Sequence, residues 1–85
     1  MSGFSRSTVP IDWTGCPIVE WDAEKLHGLP TIRGIRLTPD TLIEHFEAGL
    51  TAEEIHELFP SVSTQDVLTI LDYAVRNGYI EGPVR

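Results

Sequence analysis

The chain predicts a small α+β domain, mainly α, in which a short N-terminal β-element precedes a three-helix, homeodomain-like bundle of helix-turn-helix type. Three observations carry that reading. Alternating apolar and polar residues with turn punctuation, as in DWTGCPIVEW and TIRGIRL, are confined to residues 1–38, and a period of two marks a strand. From Pro39 onward, apolar residues recur at helical spacing in three runs. Each run has its own start and stop residues.

Residues 1–10 are rich in Ser, Gly and Thr without any period, and are expected to be mobile. Short strands are expected at residues 11–13 and 18–21, with residues 1–18 forming an N-terminal segment ahead of the domain proper. Residues 22–30 read as a loop, and residues 31–37, TIRGIRL, as a further strand. The first helix, near 39–48, takes Thr38 as N-cap and Pro39 at its first position, where a missing N–H costs nothing. Leu42, Ile43, Phe46 and Leu50 form its stripe, and Gly49 can end it in the left-handed conformation. TAEE opens the second helix, near 52–59, as a capping box between Thr51 and Glu54. Ile55, Leu58 and Phe59 are its expected buried residues, and Pro60 stops it. The third helix, near 64–77, starts from Ser63 with Asp66 in the box position. Val67, Leu68, Ile70, Leu71, Ala74 and Val75 give it a broad apolar face, Asn77 and Gly78 end it, and residues 79–85 form a tail.

A chain of 85 residues is one domain with a small core, so a homodimer or a bound partner is expected. No apolar run approaches the roughly 20 residues that span a bilayer, so no membrane association is expected. The N-terminus lacks the apolar stretch of a secretory signal, and cytoplasmic residence is the default expectation. Cys16 is the only cysteine, which excludes an internal disulfide and a cysteine-based zinc site. Positive and negative charges balance in residues 1–38, so the whole net charge of −7 falls in residues 39–85, where two arginines face nine carboxylates. Such a surface repels nucleic-acid phosphate.

Nothing in the chain reads as an enzyme. Cys16 has no neighbouring histidine, and no phosphate-binding glycine loop or serine elbow occurs. His27, His45 and His56 lack metal-ligand spacing, so neither metal nor cofactor is expected.

The candidate binding residues fall into four groups. Gly28, Pro30, Gly34 and Pro39 are turn-forming positions that fix the approach to the first helix and hold Arg33 and Arg36 in place. The two arginines suit bidentate contact with phosphate or carboxylate, or pairing with the protein's own carboxylates across a dimer. On a regular strand, residues three apart would point to opposite faces. Ser63, Thr64, Gln65 and Thr69 occupy the part of the third helix from which a recognition helix reads bases, although Asp66 and Asp72 share that helix. Glu44, Glu47, Glu53, Glu54 and Glu57 form an acidic surface suited to a basic nuclease groove, or else simply a solvated face. Trp13 and Trp21, with Phe4, are partner anchors or core residues.

Taken together, LHGLPTIRGIRLTPDTLIEHFEAGLTAEEIHELFPSVSTQDVLTILDYA resembles the prokaryotic family catalogued as domain of unknown function 433, whose members look like VapB-type antitoxins of type II toxin–antitoxin systems. The matching positions are Gly28, Pro30, Ile32, Gly34, Arg36, Ala48, Gly49, Glu53 to Ile55, Phe59, Pro60, Tyr73 and Ala74, within residues 19–78. Two positions depart from the pattern: Ile35 stands for a threonine, and His27 for the first of two glycines. The resemblance implies a dimeric, homeodomain-like domain that pairs with a PIN-like ribonuclease toxin and binds operator DNA at its own promoter. A stand-alone helix-turn-helix regulator and a structural adaptor dimer are the alternatives.

Overall fold

Strand β1, Val19–Trp21, pairs antiparallel with β2, Pro30–Ile32, placing Val19 opposite Ile32, Glu20 opposite Thr31 and Trp21 opposite Pro30. The computed structural model describes residues 11–84, in which three helices follow this hairpin: α1 (Pro39–Glu47), α2 (Ala52–Leu58) and α3 (Thr64–Arg76). The molecule is thus α+β and mainly α. Residues 1–10, including Phe4, lie outside the described residues, as does Arg85.

All three helices pack on one another, and β2 lies against α1. Their shared core contains Leu42, Ile43 and Phe46 from α1, Ile55 from α2, and Val67, Ile70, Leu71 and Ala74 from α3, closed by Ile32 and Val62. Leu58 and Leu68 depart from the expected pattern, at 55 % and 36 % exposed. The buried arc of each helix is narrower than its apolar arc, so these two leucines fall on the flanks. Leu50, Phe59 and Val75 are only partly buried at the core's edge.

The helix ends show why these segments stop where they do. α1 closes with Gly49 at φ +110°, the Gly49 N–H on the Phe46 carbonyl and the Leu50 N–H on the His45 carbonyl. α3 closes in the same way, with Gly78 at φ +79° and the Gly78 and Tyr79 N–H groups on Val75 and Ala74. Both are Schellman motifs, which only a residue tolerant of the left-handed region allows. The capping box of α2 forms in both directions between Thr51 and Glu54. At α3 only half of it forms: the Ser63 Oγ accepts from the Asp66 N–H at 3.1 Å, while the aspartate is a methylene shorter than the glutamate of α2. Thr38 stands at the N-cap of α1, but its hydroxyl bonds to the Thr41 hydroxyl instead of a backbone N–H.

The turn between α2 and α3 is held from inside. Val62 is fully buried and donates its N–H to the Phe59 carbonyl, and its own carbonyl accepts from His56 Nδ1 at 2.6 Å. His45 Nδ1 likewise donates to the Thr41 carbonyl, and its ring meets Phe59 edge-on. Since a carbonyl only accepts, both histidines carry their proton on Nδ1.

Residues 11–13 do not form the expected strand. Their alternation is real, with Ile11 and Trp13 buried and Asp12 exposed, but what they pack against is helical. Trp13 is 1 % exposed, stacks on Tyr73 with ring centroids 5.3 Å apart, and donates Nε1 to Asp40 on α1. The Asp12 carbonyl accepts from the Tyr73 hydroxyl at 2.6 Å, and its N–H donates to the Tyr79 hydroxyl at 3.2 Å. Two tyrosines therefore take the place of a neighbouring strand.

The hairpin connection contains a left-handed turn in which Leu26, His27 and Gly28 have φ of 49°, 58° and 82°. This region is costly for a residue with a Cβ, which accounts for the glycine pair of the resembled pattern. His27→Gly is expected to be neutral or stabilising by up to about 1 kcal/mol, since relief of strain is partly offset by unfolded-state entropy, whereas Gly28→Ala costs about 1–2 kcal/mol. Thermal or urea melts of the two variants check the difference in sign. For the N-terminal packing, Trp13→Ala is expected to cost about 3–5 kcal/mol and Tyr73→Phe about 1 kcal/mol in urea unfolding, the first from core loss and the second from one hydrogen bond.

Candidate partner-binding surfaces

The segment 31–37 is not one strand. It leaves β2 after Ile32 and closes into a turn in which the Ile35 N–H donates to the Ile32 carbonyl at 2.8 Å and the Ile32 N–H to the Leu37 carbonyl at 2.9 Å. Gly34, at φ +77°, occupies the third position of the 32–35 turn, where a type II geometry requires a positive φ. Arg33 and Arg36 therefore leave from a single closed turn. The opposite-face rule for strand residues does not govern them.

Glu20 holds this turn in place. Its Oε2 accepts from the Gly34 N–H at 3.2 Å and from Lys25 Nζ at 3.1 Å. The Gly34 N–H first, and then Lys25, keep its carboxyl below the usual glutamate range. The Arg33 N–H also donates to the Ile18 carbonyl at 2.7 Å, so the turn is tied both to the residue ahead of β1 and to the strand's middle residue. Within the hairpin, the buried Thr31 hydroxyl donates to the Glu20 carbonyl at 3.4 Å.

Both guanidinium groups are exposed, and neither has an ion-pair partner among the described residues. The other described cations are engaged: Lys25 with Glu20, and Arg76 with Asp72 at 2.8 Å. Of the two tryptophans, Trp13 belongs to the core, while Trp21 is 50 % exposed on the same hairpin as Leu29, at 54 %. Pro30 begins β2 opposite Trp21, Gly28 ends the left-handed turn, and Pro39 is buried at the first position of α1.

The five glutamates do not form one uniform surface. Glu54 is engaged in the capping box, and Glu44 and Glu47 on α1 each have an interaction partner. Glu53 and Glu57 are exposed one turn apart on α2, without an ion-pair partner among the described residues, and the exposed Leu58 follows them. On α3, the Ser63 hydroxyl oxygen accepts from the helix backbone, and the Thr69 hydroxyl donates to the Gln65 carbonyl at 3.0 Å. Gln65 is exposed and Thr64 half-buried. Gln65 and Thr69 line a shallow groove with Leu68, Asp72, Arg76 and Val84.

Cys16 is buried, and burial pushes its thiol up, which disfavours the thiolate needed of a nucleophile. Among the described residues no three His, Cys, Asp or Glu side chains gather as a metal site would require, and no helix is long and apolar enough to cross a membrane.

The role of Glu20 has no signature in the sequence. It depends on the register that sets Glu20 against Thr31 and on the fold of the turn beyond.

These features define a small, mainly helical α+β domain carrying a pinned arginine turn and an acidic helical face. The chain belongs to the DUF433 family of proteins of unknown function, whose model matches residues 19–74, from the start of β1 to Ala74 on α3. No curated protein and no solved structure matches it.

Because the carboxyl of Glu20 is lowered in the folded state, its contribution is present above the ordinary glutamate value of about 4.3 and is lost as pH falls through the lower folded value. The Gly34 amide resonance is expected to titrate with a midpoint below that ordinary value, and Glu20→Gln to abolish the transition. A midpoint at the ordinary value would mean that the carboxylate does not hold the turn in solution.

Proposed function

We propose that this protein is an antitoxin-like binding module that neutralises a cognate PIN-like ribonuclease and controls its own promoter as a secondary role. The observation that carries this reading is the α2 face, where Glu53 and Glu57 are exposed beside Leu58 and have no ion-pair partner among the described residues. Two carboxylates next to an exposed apolar residue complement the basic groove in which a ribonuclease holds RNA, so occupancy of that groove steers association and excludes substrate. The DUF433 family is one of unknown function, so the antitoxin part of the reading rests on the resemblance of the sequence pattern and on this face. The protein works by binding, in the cytoplasm, and is not an enzyme.

A second reading, a DNA-binding regulator, is favoured by the two unpaired arginines on their turn. It is disfavoured at α3, where Asp66 sits in the first turn and the Ser63 and Thr69 hydroxyls already bond to the helix itself. An adaptor dimer is the third reading.

Affinity capture from the native host, with and without nuclease digestion, followed by assay of the purified components, separates the three. The antitoxin reading expects a small ribonuclease to survive digestion in the eluate and to lose RNA cleavage on adding equimolar protein. Glu53→Lys with Glu57→Lys should weaken that inhibition about tenfold or more, the scale of paired charge reversals at an interface. Full cleavage in the presence of excess wild-type protein would overturn the proposal, and recovery of DNA alone would favour the regulator.

A further inference from the structure

Two surfaces whose charges have no ion-pair partner among the described residues, the Arg33–Arg36 turn and the Glu53–Glu57 face of α2, are opposite in sign and lie on the same chain. We infer that they recognise each other between copies: the Arg33–Arg36 turn of one molecule seats on the Glu53 and Glu57 face of α2 in a second molecule, with Trp21 and Leu29 on one side and Leu58 on the other supplying apolar contact.

Charge complementarity selects this occupant. Among the described cations, Lys25 and Arg76 are already paired within the chain, which leaves the two arginines of the turn. Glu53 and Glu57 are one turn apart on a helix, where side chains lie about 5–6 Å from each other, a spacing that two guanidinium groups can meet with bidentate bonds. Arginine suits such a contact better than lysine because its planar fork loses less freedom for each hydrogen bond made.

The turn is also prepared for binding. Glu20, the Ile18 carbonyl and the 32–37 closure hold its backbone before any partner arrives, so little ordering remains to oppose association. Among the described residues, Trp21 and Leu29 are exposed on the hairpin from which the turn continues, and Leu58 is exposed next to Glu57 on α2. A domain of this size gains from covering them. A two-fold axis would let each molecule give its turn and receive the other's, closing the assembly as a dimer.

The contact stands on its own, independent of the ribonuclease reading. If that reading also holds, self-association covers the face that a ribonuclease would use, and the two assemblies exclude each other.

Charge-swap analysis of the full chain by sedimentation velocity, over about a hundredfold concentration range, tests the contact. Wild type should self-associate at low salt and dissociate as salt rises to about 0.5 M, where the Debye length falls to a few Å. Arg33→Glu with Arg36→Glu should weaken association about tenfold or more, and so should Glu53→Arg with Glu57→Arg. The second pair is decisive, because it lowers the net negative charge and would strengthen association governed by overall repulsion alone. All four changes together should restore association to within about threefold of wild type, which also shows that the swapped residues are compatible with folding. A monomer at every concentration, a salt-insensitive dimer, stronger association of the glutamate-to-arginine variant, or no rescue in the fourfold variant would each overturn the assignment.

Discussion

The buried wall of α3 is the surface on which the rest of the structure depends. Val67, Ile70, Leu71 and Ala74 present one continuous apolar stripe, and α1 and α2, which also touch each other, both pack on α3. The stripe is extended at its far end by Tyr73, whose ring takes Trp13 and whose hydroxyl takes the Asp12 carbonyl. A single helix of 13 residues thus organises both the two helices and the N-terminal segment that precede it. That economy is what a chain too short for a second layer of core requires.

Helical periodicity and capping residues made the three helices legible, because both signals are local. TAEE, Thr38–Pro39 and the glycines at 49 and 78 each act within a turn of the helix end that they define. The β-element was harder to read, for a physical reason. Alternation shows that a segment has a buried and an exposed face, but not what covers the buried one, so Ile11 to Trp13 looked like a strand although tyrosines from α3 and its tail stand where a strand would be. TIRGIRL failed differently: its alternation runs on past Ile32, while the turn there is anchored by bonds to Glu20 and Ile18, fourteen and fifteen residues earlier than their partners. Leu58 and Leu68 show the same limit on helices, where an apolar residue at the edge of a stripe can fall on either side of the buried boundary.

The surface charges are sorted by the fold in a way that composition hides. Several of the polar residues singled out from sequence turn out to serve the chain itself: Glu54 caps α2, Ser63 caps α3 and Thr69 bonds its own helix, while Arg76 pairs with Asp72 one turn back. Two like-charged pairs without an ion-pair partner among the described residues stand out against them, Arg33 with Arg36 and Glu53 with Glu57. The acidic character of residues 39–85 is therefore less a uniform field than a background to those two pairs.

The clamp on Asp12 fixes more than a local loop. With one tyrosine holding its carbonyl and another its N–H, Asp12 is held beside the C-terminal half of α3. At 1.5 Å per residue, Tyr73 lies roughly 14 Å along the helix from its first residue. Asp12 and Trp13 are therefore moored at the far end of α3 from the turn that joins it to α2, so loosening the last turns of that helix would release the N-terminal packing as well.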